Sequence, residues 1–151
     1  MRAYTTGLVL VTAIAAGAAC GGGDGGSGPN PSAITGTWQL TKVLFVSQAN
    51  PTQSVDLIAD VGATATLTLN ADNSFAFVVT PPPPAPVETT TGTWSLGGQV
   101  LTIVRDGFSG NVQFDITLTG QTLRLVGGHV DFDVNGDGTD EPAILTLEGT
   151  K

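Results

Sequence analysis

From Ile34 to Lys151 apolar residues recur at every second position, and this period of two constrains the chain more than any other feature. Successive side chains on a strand point to opposite faces, whereas a helix returns to one face only every 3.6 residues. Ala63-Thr64-Ala65-Thr66-Leu67-Thr68-Leu69 alternates without a fault, and Val112, Phe114, Ile116 and Leu118 alternate with Gln113, Asp115, Thr117 and Thr119. Each run therefore has one buried face and one wet face. The pattern predicts eight strands, near 36–46, 62–69, 73–80, 87–96, 99–104, 111–119, 121–134 and 142–149. Val55 to Val61 is the only stretch within this region with a helical character. With 21 Gly, 9 Pro and only 12% charged residues, helical bundles and coiled coils fit badly, and the fold class is all-β.

The connections alternate between tight and long. Hairpin turns are predicted around Ala71-Asp72, Gly97-Gly98 and Gly120-Gln121, while 47–61, the proline run 81–86, 105–110 and 135–141 are longer. In an eight-stranded antiparallel up-and-down barrel every odd connection lies at one rim, so the long loops would gather at a single mouth. Both termini would then lie at the opposite, tight-turn end. A two-sheet β-sandwich has the same alternation and stays open at this point.

Charge and cysteine content exclude several functions. Five Lys and Arg against 13 Asp and Glu leave a formal charge of −8, so the basic footprint of a nucleic-acid binder is missing. One Cys and one His supply neither a disulfide framework, nor a Cys/His zinc site, nor a Cys-His nucleophile pair. At the N-terminus, Arg2 precedes the apolar stretch Leu8 to Ala19, which is shorter than the roughly 20 residues of a membrane-spanning helix and is read as a cleaved export signal, residues 1–19. Gly17-Ala18-Ala19-Cys20 resembles the signal of bacterial lipoproteins, which implies lipidation of Cys20 and attachment to a membrane through that lipid. Residues 20–33 are Gly-rich and read as a flexible tether, leaving 34–151 as the folded domain. By the rule of that family, Gly21 after the Cys implies the outer membrane of the cell envelope.

Thr35-Gly36-Thr37-Trp38 opens the first strand, Gly92-Thr93-Trp94 repeats the motif in mid-domain, and Asn70-Ala71-Asp72-Asn73-Ser74-Phe75 forms an Asp-rich strand end. Together they resemble the lipocalin-like domains of bacterial lipoproteins. The resemblance implies a noncatalytic barrel that binds a small apolar ligand through its mouth. Strand alternation nominates Leu67, Leu69, Phe75, Phe77, Phe114 and Ile116 as lining residues, although the same side chains would fill a solid core. In that second case the loops 47–61, 81–86 and 131–141 would bind an envelope protein. Both tryptophans are read as core, with Gly36 and Gly92 making room for their rings. Lipocalins also pack a late-strand Arg on the first-strand Trp, and Arg124 is the only candidate here.

The remaining chemistry is concentrated in one acidic segment. Asp131, Asp133, Asn135 and Asp137 stand at alternate positions before Gly138, as in the first half of calcium loops, with Asp140 or Glu141 needed to complete the shell. The calcium expected there is a structural ion. The competing reading is a hairpin at Asn135-Gly136 with solvated acids around it. Pro81 to Pro86 is expected to form a stiff polyproline II rim. His129 is read as a strand residue, and no local motif supports a triad of His129, an acid and Ser109.

Overall fold

In the computed structural model, residues 28–151 are described. The export signal, Cys20 and the tether up to Ser27 lie outside the described residues. A four-residue helix, α1 (Pro31–Ile34), is followed by β1 (Gly36–Ser47), β2 (Ser54–Asp56), β3 (Thr64–Leu69), β4 (Ser74–Thr80), β5 (Glu88–Gly97), β6 (Val100–Arg105), β7 (Val112–Thr119), β8 (Thr122–Phe132) and β9 (Glu141–Thr150). Strands β3 to β9 pair in sequence order, all antiparallel, and β1 pairs with both β3 and β9. This closes an up-and-down barrel of eight strands and settles the choice against the sandwich. The long connections gather at one rim and the tight turns at the other, as the alternating loop lengths predict.

The ninth strand, β2, has no counterpart among the eight predicted, and two of its three residues, Val55 and Asp56, fall in the segment expected to be helical. β3 pairs with β1 only along Gly36 to Gln39, so the mouth half of that β1 edge would be left open; β2 covers it opposite Leu44, Phe45 and Val46. Asp56 locks this patch down. Its buried carboxylate accepts the backbone N–H groups of Val43 at 3.2 Å, Ile58 at 3.0 Å and Ala59 at 3.4 Å. The chain leaves Asp56 in turns, so 55–61 holds strand and turn where a helix was expected. A carboxylate that gathers N–H groups from the next turn competes with the helical hydrogen-bond ladder for the same donors.

At the closed end α1 lies under the barrel. Asn30 caps it by accepting the Ser32 N–H at 3.0 Å, and Pro31 supplies the preset first-turn backbone. Its last residue, Ile34, is fully buried, and the Ile34 carbonyl accepts the Trp38 Nε1–H at 2.8 Å. Trp38, Leu69, Leu101 and Leu123 pack this half without solvent exposure of note. The glycines of the two Gly-Thr-Trp motifs make room, but not for their own Trp rings as expected. A Cβ on Gly36 would meet the Lys151 side chain, and one on Gly92 would lie 2.0 Å from the Val104 carbonyl oxygen and 2.8 Å from the Phe75 ring.

The cation on Trp38 is also different from the one expected. Lys151, just beyond β9, places Nζ 4.3 Å from the Trp38 ring centroid and donates to the carbonyl oxygens of Ala33 and Thr35. Arg124 instead faces outward and pairs with Glu148 at 3.1 Å. Strand parity explains the exchange, because Arg124 lies between inward-pointing Leu123 and Leu125 and must point out. Lys151→Ala is expected to lower stability by about 1 kcal/mol through the lost cation–π contact, and thermal unfolding reads this directly. Arg124→Ala, which removes an exposed pair, is expected to shift the midpoint less.

Candidate ligand-binding site

The two halves of the barrel are filled differently. Toward the mouth the interior holds a cavity of about 220 Å³. Four of the six nominated lining residues meet there: Leu67 on β3, Phe75 and Phe77 on β4, and Phe114 on β7. Leu69 and Ile116 are buried but lie outside the cavity wall and serve as packed core. Phe45 and Phe132, from β1 and β8, stack at 3.8 Å between ring centroids and form part of the same wall.

Four polar residues line the cavity as well: Asp131, nominated only for calcium, and Glu88, Thr90 and Arg105, which the apolar pattern did not single out. A signal for them existed. Trp94 points inward, and counting back by two along β5 gives Gly92, Thr90 and Glu88; counting forward from Ile103 on β6 gives Arg105. The inner face thus changes from apolar to polar as the strands approach the rim. The rim itself is acidic. Asp56, Asp60, Glu88, Asp106, Asp131, Asp133, Asp137, Asp140 and Glu141 stand at this end, against Arg105 as its one Lys or Arg among the described residues. The Arg105 guanidinium lies 4.3 Å from the Phe108 ring centroid and forms no ion pair among the described residues, whereas Lys42 and Arg124 both lie by Glu148 and Lys151 stands at the closed end.

Of the acidic segment nominated for calcium, Asp131 on β8 lines the cavity, Asp133, Asn135, Asp137 and Asp140 lie in the loop between β8 and β9, and Glu141 opens β9. Asp133 is the hub of that loop. Its two carboxylate oxygens accept the N–H groups of Gly136 at 2.7 Å, Asp137 at 3.1 Å and Gly138 at 2.8 Å. Asn135 accepts the Asp137 N–H at 2.8 Å, and Asp137 accepts the Thr139 N–H at 2.8 Å. Among the described residues no three His, Cys, Asp or Glu side chains are grouped to hold a metal ion.

The Thr139 N–H, and after it the Asn135 amide, hold the Asp137 carboxyl below its usual value of 3.8. In the turn between β3 and β4 the Ser74 hydroxyl, followed by the Ser74 N–H, does the same for Asp72. A carboxyl whose folded value is depressed stabilises the structure above its unfolded value and loses that contribution as pH falls through the folded one. Both segments are therefore expected to loosen below about pH 4 and to be unaffected near neutrality. Amide exchange at Thr139 and Ser74 checks this; protection that persists unchanged to pH 2.5 would contradict it.

The turn carrying Asp72 is also where the two motifs of the sequence meet. The Trp94 Nε1–H donates to the Asn70 carbonyl at 3.0 Å, the Trp94 N–H to the Asn73 carbonyl at 2.8 Å, and the Asn73 side-chain amide to the Trp94 carbonyl at 3.1 Å. The proline run differs from the stiff extended rim expected: it bends through a turn in which the Ala85 N–H donates to the Pro82 carbonyl at 3.3 Å.

A second, polar cleft of about 230 Å³ lies beside the cavity between the β6–β7 loop and β8. It brings Ser109, His129 and Asp131 together, but no hydrogen bond links the three. His129 Nδ1 is instead 3.2 Å from the Gln48 amide nitrogen.

A closed up-and-down barrel, packed at one end and hollow beneath an apolar-to-polar rim at the other, defines a small-molecule binding fold. Residues 34–125 match the lipocalin-like domain family, and the chain belongs to that family, whose fold is generally a non-enzymatic one that binds small ligands. The matched region runs from the end of α1 into β8. Comparison with curated proteins gave no match.

Proposed function

We propose that this chain is a noncatalytic, lipid-anchored protein of the cell envelope that binds a small apolar ligand inside the mouth half of its barrel. The observation that carries the reading is the cavity of about 220 Å³, walled by Leu67, Phe75, Phe77 and Phe114 and reached from the long-loop rim. Its volume is below the roughly 300 to 1,000 Å³ of drug-sized pockets, so the ligand is small or enters with one end only. Anchoring rests on the sequence of residues 1–33, with Cys20 as the lipidated residue and the outer membrane as its address. Since β1 starts and β9 ends at the closed end, a tether there would direct the mouth away from the membrane.

Native mass measurement of the full chain from its source, before and after organic extraction, tests both parts. An extractable organic mass supports the carrier, and an acyl increment on Cys20 supports the anchor. A bare, unmodified chain removes both and turns attention to the rim loops as a surface for an envelope protein. Calcium at Asp131, Asp133, Asn135, Asp137, Asp140 and Glu141 is a separate proposal. An ion there would have to draw the Asp133 carboxylate from the N–H groups it now holds. Titration of metal-stripped protein with millimolar calcium is expected to give heat and a raised melting temperature, and neither would appear if the loop is only a hydrogen-bonded turn.

A further inference from the structure

The barrel wall is incomplete on the mouth side between β7 and β8. Their ladder runs from Asp115 opposite Val126 to Thr119 opposite Thr122. Toward the mouth, Val112 to Phe114 pair with β6 and Gly128 to Phe132 pair with β9, but the two segments do not pair with each other. The cause is local. β8 steps out of register between Leu125 and Gly128, with Gly127 at φ 89°, and the Phe114 ring lies 2.2 Å from where a Cβ on residue 128 would stand. The ring thus occupies the space that a side chain on residue 128 would take, and the bulged strand leaves the ladder with β7 at this point. The similar shortfall between β1 and β3 is covered by β2; among the described residues no strand covers this one.

The polar cleft fills the opening, bordered by Asn111 and Val112 on one side and by His129, Val130 and Asp131 on the other. Arg105, Val112, Val130 and Asp131 line both the cleft and the barrel cavity, so the two spaces adjoin. We infer that the cleft is a head-group compartment, and that the ligand is an apolar chain with an uncharged, hydroxyl-bearing head whose tail fills the barrel while the head projects sideways between β7 and β8. This rests on the reading that the barrel cavity takes an apolar ligand.

The chemistry of the cleft selects the head. Arg105 and Asp131 are its charged groups and have opposite signs, so an ionic head would meet one like charge and would lose its hydration for one partner. Gln48, Ser109 and Asn111 both donate and accept hydrogen bonds, as a hydroxyl does. The acidic rim adds repulsion against a carboxylate head.

Isothermal titration of the purified full chain with eight-carbon ligands tests the inference, with cyclohexane as a headless probe. 1-Octanol and 1-monooctanoylglycerol are expected to bind at least tenfold tighter than octanoate or octylammonium. Ser109 is exposed and lines the cleft but not the cavity, so Ser109→Trp is expected to weaken the glyceride at least tenfold and leave cyclohexane within twofold. Equal affinity for all heads, or a glyceride unaffected by Ser109→Trp, overturns the lateral compartment and leaves the cavity intact. Failure of every ligand, cyclohexane included, overturns the cavity reading itself.

Discussion

Trp38→Ala is expected to lower stability by about 3 to 5 kcal/mol, the range for removing a large aromatic from a packed core. For a domain of this size that is a fall of roughly 15 °C in melting temperature. Three losses coincide. The indole is only 1% exposed, so its apolar area becomes an unfilled void. The Ile34 carbonyl loses its 2.8 Å donor in a buried setting. Lys151 loses the ring face it stands on. Because Trp38 lies outside the mouth-half cavity, ligand affinity of the folded variant is expected to stay close to that of the parent. Thermal unfolding followed by Trp94 fluorescence, with ligand titration below the transition, separates the two effects. A drop of under about 3 °C would show that the closed end contributes little to holding the barrel shut.

Gly92→Ala is expected to cost about 3 kcal/mol although it adds a single methyl group. The new carbon would stand 2.0 Å from the Val104 carbonyl oxygen, which is backbone and cannot rotate away, and Gly92 sits at φ 154° where side chains are rarely found. Relief requires β5 and β6 to separate where Gly92 faces Arg105. The Phe75 ring, 2.8 Å from the same point, is part of the cavity wall, so a fall in ligand affinity is expected along with the fall in stability. Gly97→Ala is the matched control. That glycine lies in the same strand with nothing within 4 Å of its would-be Cβ and is expected to change stability by less than about 0.5 kcal/mol. Equal midpoints for the two variants in chemical denaturation would refute the close approach at Gly92.

Much of the barrel is legible in the sequence, and what is not depends on contacts between strands or on segments too short to carry a period. Strand positions followed from alternation, because which face a side chain takes is set within its own strand. The same parity correctly sends Leu67, Phe75, Phe77 and Phe114 inward, yet it also sends Leu69 and Ile116 inward, and only the height of each residue along the barrel decides whether it lines the cavity or packs the base. That height depends on the stagger between strands. Glu88, Thr90 and Arg105 have the right parity, but an apolar alternation carries no mark of a polar side chain that turns inward near the rim. The cation on Trp38 was assigned to a strand Arg by resemblance, whereas the chain end after β9 supplies it. β2 was missed because three residues carry too short a period to register, and its place is defined by the edge that β3 leaves open on β1.

The amino-acid order by itself determined the all-β class, the inward and outward faces, the rim at which the long loops collect and the strong negative charge. Each of these follows from spacing or composition along the chain, where the physics is local: pleat, turn chemistry and charge. Tertiary structure alone decided that the interior is hollow toward the mouth, that Trp94 is held by the turn at Asn70–Asn73, and that β7 and β8 part to leave a polar cleft beside the cavity. These depend on register between strands distant in sequence. Register is set by the packing of the whole barrel, here by a Phe114 ring that needs the space a side chain at Gly128 would have taken.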